Sequence, residues 1–490
     1  MSISNNDKHP KDSSNSHAII IGGSMAGLLS ARVLTDYFDT VTLLERDGHS
    51  DLPAFRPGLP QAQHVHALLK RGQGVLEGFF PGLHEEMVAL GAHVLDSAAD
   101  LKWLTPGGWG VRFRSGIDVL SFSRPLIDWV LRRRLAANPQ IRILDNRDVS
   151  GLTISTGLST ITGVTTRKRG VASLGEETIE ADLVVDAMGR GSRTPQWLSQ
   201  FGYLPPQETV VNAFIGYASR IYKRPSNFND DWKAFILQAA PPHRSRAGLI
   251  FPIEGDRWLI TITGGSRDYP PADEQGFLDF IRSLPSTEMI RAVQNAEPLS
   301  DIKVYRANEN RWRHYERTQL PNRFLVTGDA ACAFNPIYGQ GMTTAALGAL
   351  LLQEQLEDQL RSYRSLDELG PRYQKALARL INVPWTIATG TDYRYPVFEG
   401  GQPTLRYRFM HKYIDHVLAI AATNRKIRSL WLQVFQMVKP PQTMFRPSIA
   451  MRVLGRVLRG ASHTQHPQSK FAVEKPKVMG GITEVPESRT

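Results

Sequence analysis

The sequence predicts an α/β fold: a Rossmann-like dinucleotide-binding domain interleaved with a β-sheet substrate domain, followed by a helical C-terminal region. Three observations carry this. A strand, a glycine turn, a helix and a second strand follow one another between His17 and Glu45. A second strand-end turn, Gly328-Asp329, leads into a glycine-opened helix at Gly341. Beyond it β signals give way to helical spacing.

Residues 1–16 (MSISNNDKHPKDSSNS) are polar, lack the apolar core and cleavage site of a signal peptide, and are expected as a disordered leader. HAIIIGG is an apolar, β-branched run that predicts a strand. Met25, Leu28, Leu29, Arg32 and Val33 then recur at helical spacing, and TVTLLE supplies the second strand of a βαβ unit. From Ile141 to Gly189 come the short β-like stretches IRIL, GLTIS, TGVTTR and ETIEADLVVDAMG, and RAGLIFPIEGDRWLITITG predicts a hairpin around Gly255-Asp256. Helical periodicity runs through GMTTAALGALLLQEQLEDQLRSY, through residues 366–389 and through residues 407–438. The expected boundaries are a leader at 1–16, a discontinuous nucleotide domain at 17–200 and 300–360, a β-rich substrate domain at 201–299, a helical region at 361–460 and a disordered tail at 461–490.

The turn Gly22-Gly23-Ser24-Met25-Ala26-Gly27 stands where a dinucleotide fingerprint belongs, with Ser24 in place of its middle glycine. The first glycine permits the sharp bend, the last permits close helix and strand packing, and the helix N-terminus presents N–H groups to a pyrophosphate. Glu45 closes the second strand 23 residues after Gly22, where a carboxylate accepts hydrogen bonds from an adenosine ribose. A glycine turn alone is a weak signal; its strand context and Glu45 favour the nucleotide reading over a merely structural turn. The second motif joins Phe324-Leu325-Val326-Thr327-Gly328-Asp329-Ala330 to Asn335-Pro336 and Gly339-Gln340-Gly341-Met342. An Asp at a strand end binds sugar-like hydroxyls, and glycines opening a helix let backbone N–H groups approach a ring carbonyl or a developing anion.

Hydrophobic residues make up 41% of 490, enough for a large core. No run approaches the roughly 18 apolar residues that span a bilayer. Cys332 is the single cysteine, which excludes an intrachain disulfide, and a reducing, cytoplasmic location is expected. The formal charge of +11 admits nucleic acid or an anionic membrane surface as partner. No aromatic-interleaved basic stripe of the kind that marks a nucleic-acid groove stands out, so the charge reads as a basic surface plus a dianionic cofactor, without a nucleic-acid partner.

From His17 to about Leu360 the chain resembles the class A flavoprotein monooxygenases, which share the para-hydroxybenzoate hydroxylase fold. Within them it is most similar to the bacterial flavin epoxidases of polyether biosynthesis. The segments that carry this are Arg56-Pro57-Gly58-Leu59-Pro60-Gln61-Ala62-Gln63-His64-Val65-His66, Asp186-Ala187-Met188-Gly189-Arg190-Gly191-Ser192-Arg193 and Phe334-Asn335-Pro336-Ile337-Tyr338-Gly339. The resemblance implies a glutathione-reductase-type FAD-binding domain. In it the glycine turn and Glu45 hold the adenosine half of FAD with Arg46 alongside, Arg56 and Arg124 meet the phosphates or ribityl chain, and Val149 meets the adenine through its backbone. Asp329 takes the ribityl hydroxyls, Gly341 and Met342 offer amides to the pyrimidine carbonyl, and Pro336, Gly339 and Gly341 border the flavin edge where oxygen adds.

The implied activity is that of an FAD-dependent monooxygenase, an epoxidase or hydroxylase that transfers oxygen from a flavin C4a-hydroperoxide to a lipophilic secondary-metabolite substrate. Its alternatives are a prenyl-lipid reductase or dehydrogenase on the same fold and a non-redox isoprenoid-binding escort protein. Many relatives carry an Asp-Gly pair where this sequence has Met188-Gly189, so NADPH or NADH is expected to donate electrons either directly or through a separate flavin reductase.

The remaining candidates are weaker signals. His64 and His66 alternate in a Pro- and Gln-rich loop, so one of them faces the cofactor; with no third ligand at metal spacing, no metal is expected. Phe214, Tyr217, Phe235, Trp385 and Tyr395 are candidates for an apolar pocket or for core. Arg132, Arg133 and Arg134 read as a solvated helix face. In PSIAMRVLGRVLRG, Ile449, Val453, Leu454, Val457 and Leu458 share one face and Arg452, Arg456 and Arg459 surround the other. That pattern fits a helix packed on the protein or one making peripheral membrane contact.

Overall fold

Five parallel strands form the sheet that carries the site. In chain order they are β1 (His17–Ile21), β2 (Thr40–Leu44), β3 (Ile141–Leu144), β4 (Leu183–Asp186) and β5 (Phe324–Val326). They lie in the order β5-β4-β1-β2-β3, with β1 central. The computed structural model describes residues 15–157, 159–170, 175–306, 309–363 and 365–460. Apart from Asn15 and Ser16, the expected leader and the expected tail fall outside the described residues.

The central strands are apolar on both faces, as a parallel sheet covered by helices requires; Ala18, Ile19, Ile20, Val184 and Val185 are fully buried. The crossover from β1 to β2 is α1 (Met25–Leu34), and α2 (Arg124–Ala136) leads into β3. A long helix, α3 (Gly341–Tyr363), packs against α1 and follows β5 after a connection that carries the 3-10 turns Gly328–Ala330 and Pro336–Tyr338. The tips of β1, β4 and β5, together with the starts of α1 and α3, therefore converge at one end of the sheet, where ligands bind in open α/β folds.

A seven-stranded sheet forms the second layer. Its order is Lys303–Tyr305, Gly216–Lys223, Arg257–Gly264, Arg246–Ile253, Ala234–Leu237, Leu101–Thr105 and Gly108–Trp109. The hairpin predicted around Gly255-Asp256 forms, with both residues in the left-handed region at φ +75° and +51°. Interleaving is literal: Leu101–Thr105, from the first third of the chain, pairs in parallel with Ala234–Leu237.

The C-terminal part is helical as expected. It comprises α4 (Leu369–Asp392), α5 (Leu405–Ala421), α6 (Arg425–Phe435) and α7 (Pro447–Leu458). The periodic stretch 407–438 divides between α5 and α6 because the Asn424 side chain accepts a hydrogen bond from the Ile427 N–H and so starts a new helix. Among the described residues no helix is long and apolar enough to cross a membrane.

Candidate functional site

A cavity of about 630 Å3 opens at the end of the central sheet where the strand tips and helix starts meet. At one end it is lined by Gly22, Gly23, Ser24, Met25 and Ala26, then by Glu45, Arg46, Arg56, Arg124 and Val149. At the other end it reaches Asp329, Pro336, Gly339, Gly341 and Met342. Every cofactor-binding candidate from the sequence lines it except Gly27, which lies behind the turn.

The glycine turn shows why its residues are small. Gly22 has φ +107°, and a Cβ there would come within 2.5 Å of the Ala187 carbonyl oxygen. A Cβ on Gly27 would sit 1.8 Å from the Gly22 carbonyl oxygen, so the first turn of α1 packs directly on the β1 end. Ser24 occupies the third position without strain: its backbone is extended, and its hydroxyl accepts a hydrogen bond from Arg124 Nη2 at 2.9 Å.

Charge is dense at this end and internally paired. Glu45 Oε2 accepts from the Gly23 N–H at 2.9 Å and Oε1 from the Asp47 N–H at 2.9 Å. Arg56 Nη1 lies 3.0 Å from Glu45, Arg56 also faces Asp128 at 3.6 Å, and Arg124 pairs with Asp128 at 2.9 Å. Arg124 is thus a buried member of a four-residue network as well as a cavity wall. Arg46 is more exposed and lies at the rim. Of the Arg132 to Arg134 run only Arg132 leaves the expected solvated face: it is buried against Asp145, whereas Arg133 is exposed and Arg134 half-buried, both reaching Glu86. Val149 stands beside a β-bulge in the strand Arg147–Ile154, where the register slips between Val149 and Gly151, and it lines the cavity.

The middle and far end are different in kind. Burial raises the Asp329 carboxyl while Arg190 and Arg124 pull it down, and no hydrogen bond or ion pair engages it among the described residues. Gly191 and Gly341 line the cavity, and a Cβ on either would meet nothing within 4 Å. The protein itself leaves that space open. At the start of α3 the first N–H groups have no partner within the helix, and they open on the cavity.

The loop carrying Pro336 is held by residues from four distant segments. Asn310 Oδ1 accepts from the Asn335 N–H at 2.8 Å, and Asn310 Nδ2 donates to Asp392 Oδ2 at 2.6 Å. Tyr338 donates its hydroxyl to the other oxygen of Asp392, and Tyr217 donates to Asn335 Oδ1. Arg190 adds a bond to the Phe334 carbonyl at 2.8 Å. Asp392 is fully buried at the end of α4, and burial pushes its carboxyl up to about 7 against the downward pull of Tyr338, Asn310 and Asn335. Sequence reasoning missed this brace. The available signal was Asp392 itself, a carboxylate at a buried position of an otherwise apolar helical pattern.

The two histidines divide as their spacing implies. His66 lines the cavity, and its Nδ1 is 2.9 Å from the His64 carbonyl. His64 is buried, with Nδ1 2.7 Å from Ser219 Oγ and its ring against Tyr217 and Tyr305. Burial, then the neighbouring Arg124 charge, lowers His66 to about 4; burial, then His66, lowers His64 to about 3. Both rings are therefore neutral at neutral pH. None of Phe214, Tyr217, Phe235, Trp385 and Tyr395 lines the cavity; Phe235 and Trp385 are core, and Tyr217 and Tyr395 form a small cluster behind Ile337. Among the described residues no group of three or more His, Cys, Asp or Glu is placed to hold a metal ion.

The carboxylate absent at Met188 has a counterpart two residues earlier. Asp186 accepts from the Met188 N–H at 2.9 Å, from Thr194 Oγ1 at 2.6 Å and from the Ser192 hydroxyl. It ties down the turn from below, fully buried, and presents no charge to the cavity.

Comparison with known proteins matches residues 15–369 to the FAD binding domain family. Protein Rv3254 of Mycobacterium tuberculosis is 31% identical over 439 residues, 88% of this chain and 90% of that protein. In fold, the chain is similar to the flavin-dependent brominase Bmp2, with TM-score 0.63 and 16% identity over 91% of this chain and all of that one. It is also similar to PqsL of Pseudomonas aeruginosa, described as a probable FAD-dependent monooxygenase, with TM-score 0.57 and 16% identity over 78% of this chain and 98% of the other.

Proposed function

Because the chain belongs to the FAD binding domain family and shares its fold with flavin monooxygenases and halogenases, we propose that it is an FAD-dependent monooxygenase acting on a lipophilic small molecule. One observation carries the reading: a single cavity runs from a dinucleotide turn, past an unengaged carboxylate, to the start of a second helix. The residues present fit FAD. Gly22 to Gly27 and the start of α1 suit the pyrophosphate, Glu45 the ribose, Val149 the adenine edge and Asp329 the ribityl hydroxyls. Gly191 and Gly341 keep open space that the protein does not fill.

Bound FAD supplies the electrons that activate molecular oxygen. The chain's own residues position and shield. The N–H groups at Gly341 and Met342 would stabilise negative charge gathering on the ring, and His66, Tyr305 and Phe334 line the same cavity as Pro336, together with the charged Arg190 and Asp329. A His lowered to about 4 is a weak proton acceptor. That favours epoxidation of an alkene, which needs no base, over hydroxylation of a phenol, which gains from one. The donor is NADPH or NADH, used directly or through a separate flavin reductase.

The test is oxygen uptake by the FAD-loaded protein with each donor, with and without added flavin reductase, on lipophilic alkenes under 18O2. Gain of one labelled oxygen by the product supports the reading. Saturation or desaturation of the substrate without label would replace it with the reductase or dehydrogenase.

A further inference from the structure

The formal charge of the chain is +11, yet it is not spread over the cofactor domain. Residues 405–460 contain eleven Lys and Arg against one acidic residue, Asp415, and the rest of the chain is close to balanced. Asp415 is itself taken by Arg394, at 2.8 Å. Among the described residues no carboxylate pairs with Arg406, Arg408, Lys412, Arg425, Lys426, Lys439, Arg446, Arg452 or Arg459. The expected basic surface is therefore concentrated on the segment that carries α5, α6 and α7.

The same unit exposes apolar side chains. On α7, Ile449 and Val453 are buried against Val417, Ala421, Ile427 and Met444. The outer half of the expected apolar face is not: Leu454 is 48%, Val457 49% and Leu458 77% exposed, with Met451 at 65%. At 100° per residue Met451, Leu454 and Leu458 form the face of α7 turned away from the buried seam, and Arg452 and Arg459 form a flank between that face and the seam. Leu405 and Phe409, at the start of α5, are also strongly exposed.

We propose that the α5 to α7 unit is a docking surface for an anionic lipid bilayer, in which Met451, Leu454 and Leu458 enter the acyl boundary and Arg452 and Arg459 meet lipid phosphates. An interfacial helix needs this combination of a protruding apolar flank and uncompensated positive charge. A nucleic-acid surface would present aromatic platforms for bases; the protruding side chains of α7 are aliphatic. The proposal rests on charge and exposure alone and is independent of the reaction proposed above.

The experiment is co-sedimentation of the full-length, FAD-loaded protein with vesicles of phosphatidylcholine alone and of equal phosphatidylcholine and phosphatidylglycerol. Binding to the mixed vesicles only, weakened by added NaCl, is expected. Leu454→Glu with Leu458→Glu should lower the partition coefficient by about tenfold or more, and Arg452→Gln with Arg459→Gln should weaken its salt dependence. All four positions are exposed or rim residues remote from the cavity, so an unchanged flavin spectrum verifies folding. Absence of binding to mixed vesicles overturns the proposal. So do equal binding by the Leu454 and Leu458 variant, displacement from vesicles by duplex DNA at matched phosphate, and a dimer in solution that the same variant dissociates.

Discussion

The two ends of the cavity are built on opposite plans. The nucleotide end is charged and already paired with itself: Glu45, Arg56, Asp128 and Arg124 satisfy one another while walling the cavity. The far end is held by hydrogen bonds from Asn310, Tyr217, Asp392 and Arg190, and Asp329, Gly191 and Gly341 line the open cavity. A site that must recognise an anionic tail and position an uncharged ring gains from this division. Fixed charges give affinity, and a rigid, weakly polar frame sets the orientation of the reacting edge.

Substitutions at the two ends break this contrast in different ways. The largest effect is expected at the turn: Gly22→Ala forces a Cβ onto the Ala187 carbonyl at a positive φ, and the variant should purify without flavin and with a melting temperature several degrees lower. Asp329→Ala removes an acceptor that the protein does not otherwise use. It should fold normally and bind FAD roughly ten- to a hundredfold more weakly, as titrated by flavin fluorescence; full flavin retention would remove the ribityl assignment.

Asp392→Asn separates the frame from the charge. The folded carboxyl holds its proton up to about pH 7, the unfolded one only to its ordinary value of 3.8, so stability falls as pH rises across that window. Thermal melts from pH 5 to 8 should show a decline, on the order of a few kcal/mol at most, that the Asn variant largely lacks. Parallel curves for the two proteins would mean that Asp392 titrates normally. The smallest effect is expected from Gly341→Ala. Its Cβ meets no protein atom, so the FAD-free melting temperature should stay unchanged while FAD affinity drops severalfold. An unchanged affinity would mean that no ligand comes close to the start of α3.

This contrast also explains what was legible in the sequence. The nucleotide end is local: Gly22, Gly27 and Glu45 lie within one βαβ unit, and their spacing is imposed by the strand, turn and helix that join them. The brace is not local. Asn310, Asp392 and Tyr217 come from separate segments and meet only because the second sheet and α4 fold over the Pro336 loop. No spacing records that. The aromatic candidates stay open between pocket wall and core in the sequence for a related reason, since composition does not distinguish the two, and Phe235 and Trp385 are core. On α7 the periodicity was real, but the apolar stripe is wider than the seam available to bury it, so the outer half stays exposed.

The central claim is tested most directly by reducing the FAD-loaded protein without oxygen, mixing it with oxygenated buffer, and following flavin absorbance and peroxide release together. The proposed monooxygenase predicts two spectrally distinct phases, with peroxide appearing only in the second, because a shielded Pro336 end would hold activated oxygen before it is lost. Reoxidation in one phase with immediate peroxide, or a protein that retains no FAD, would contradict it.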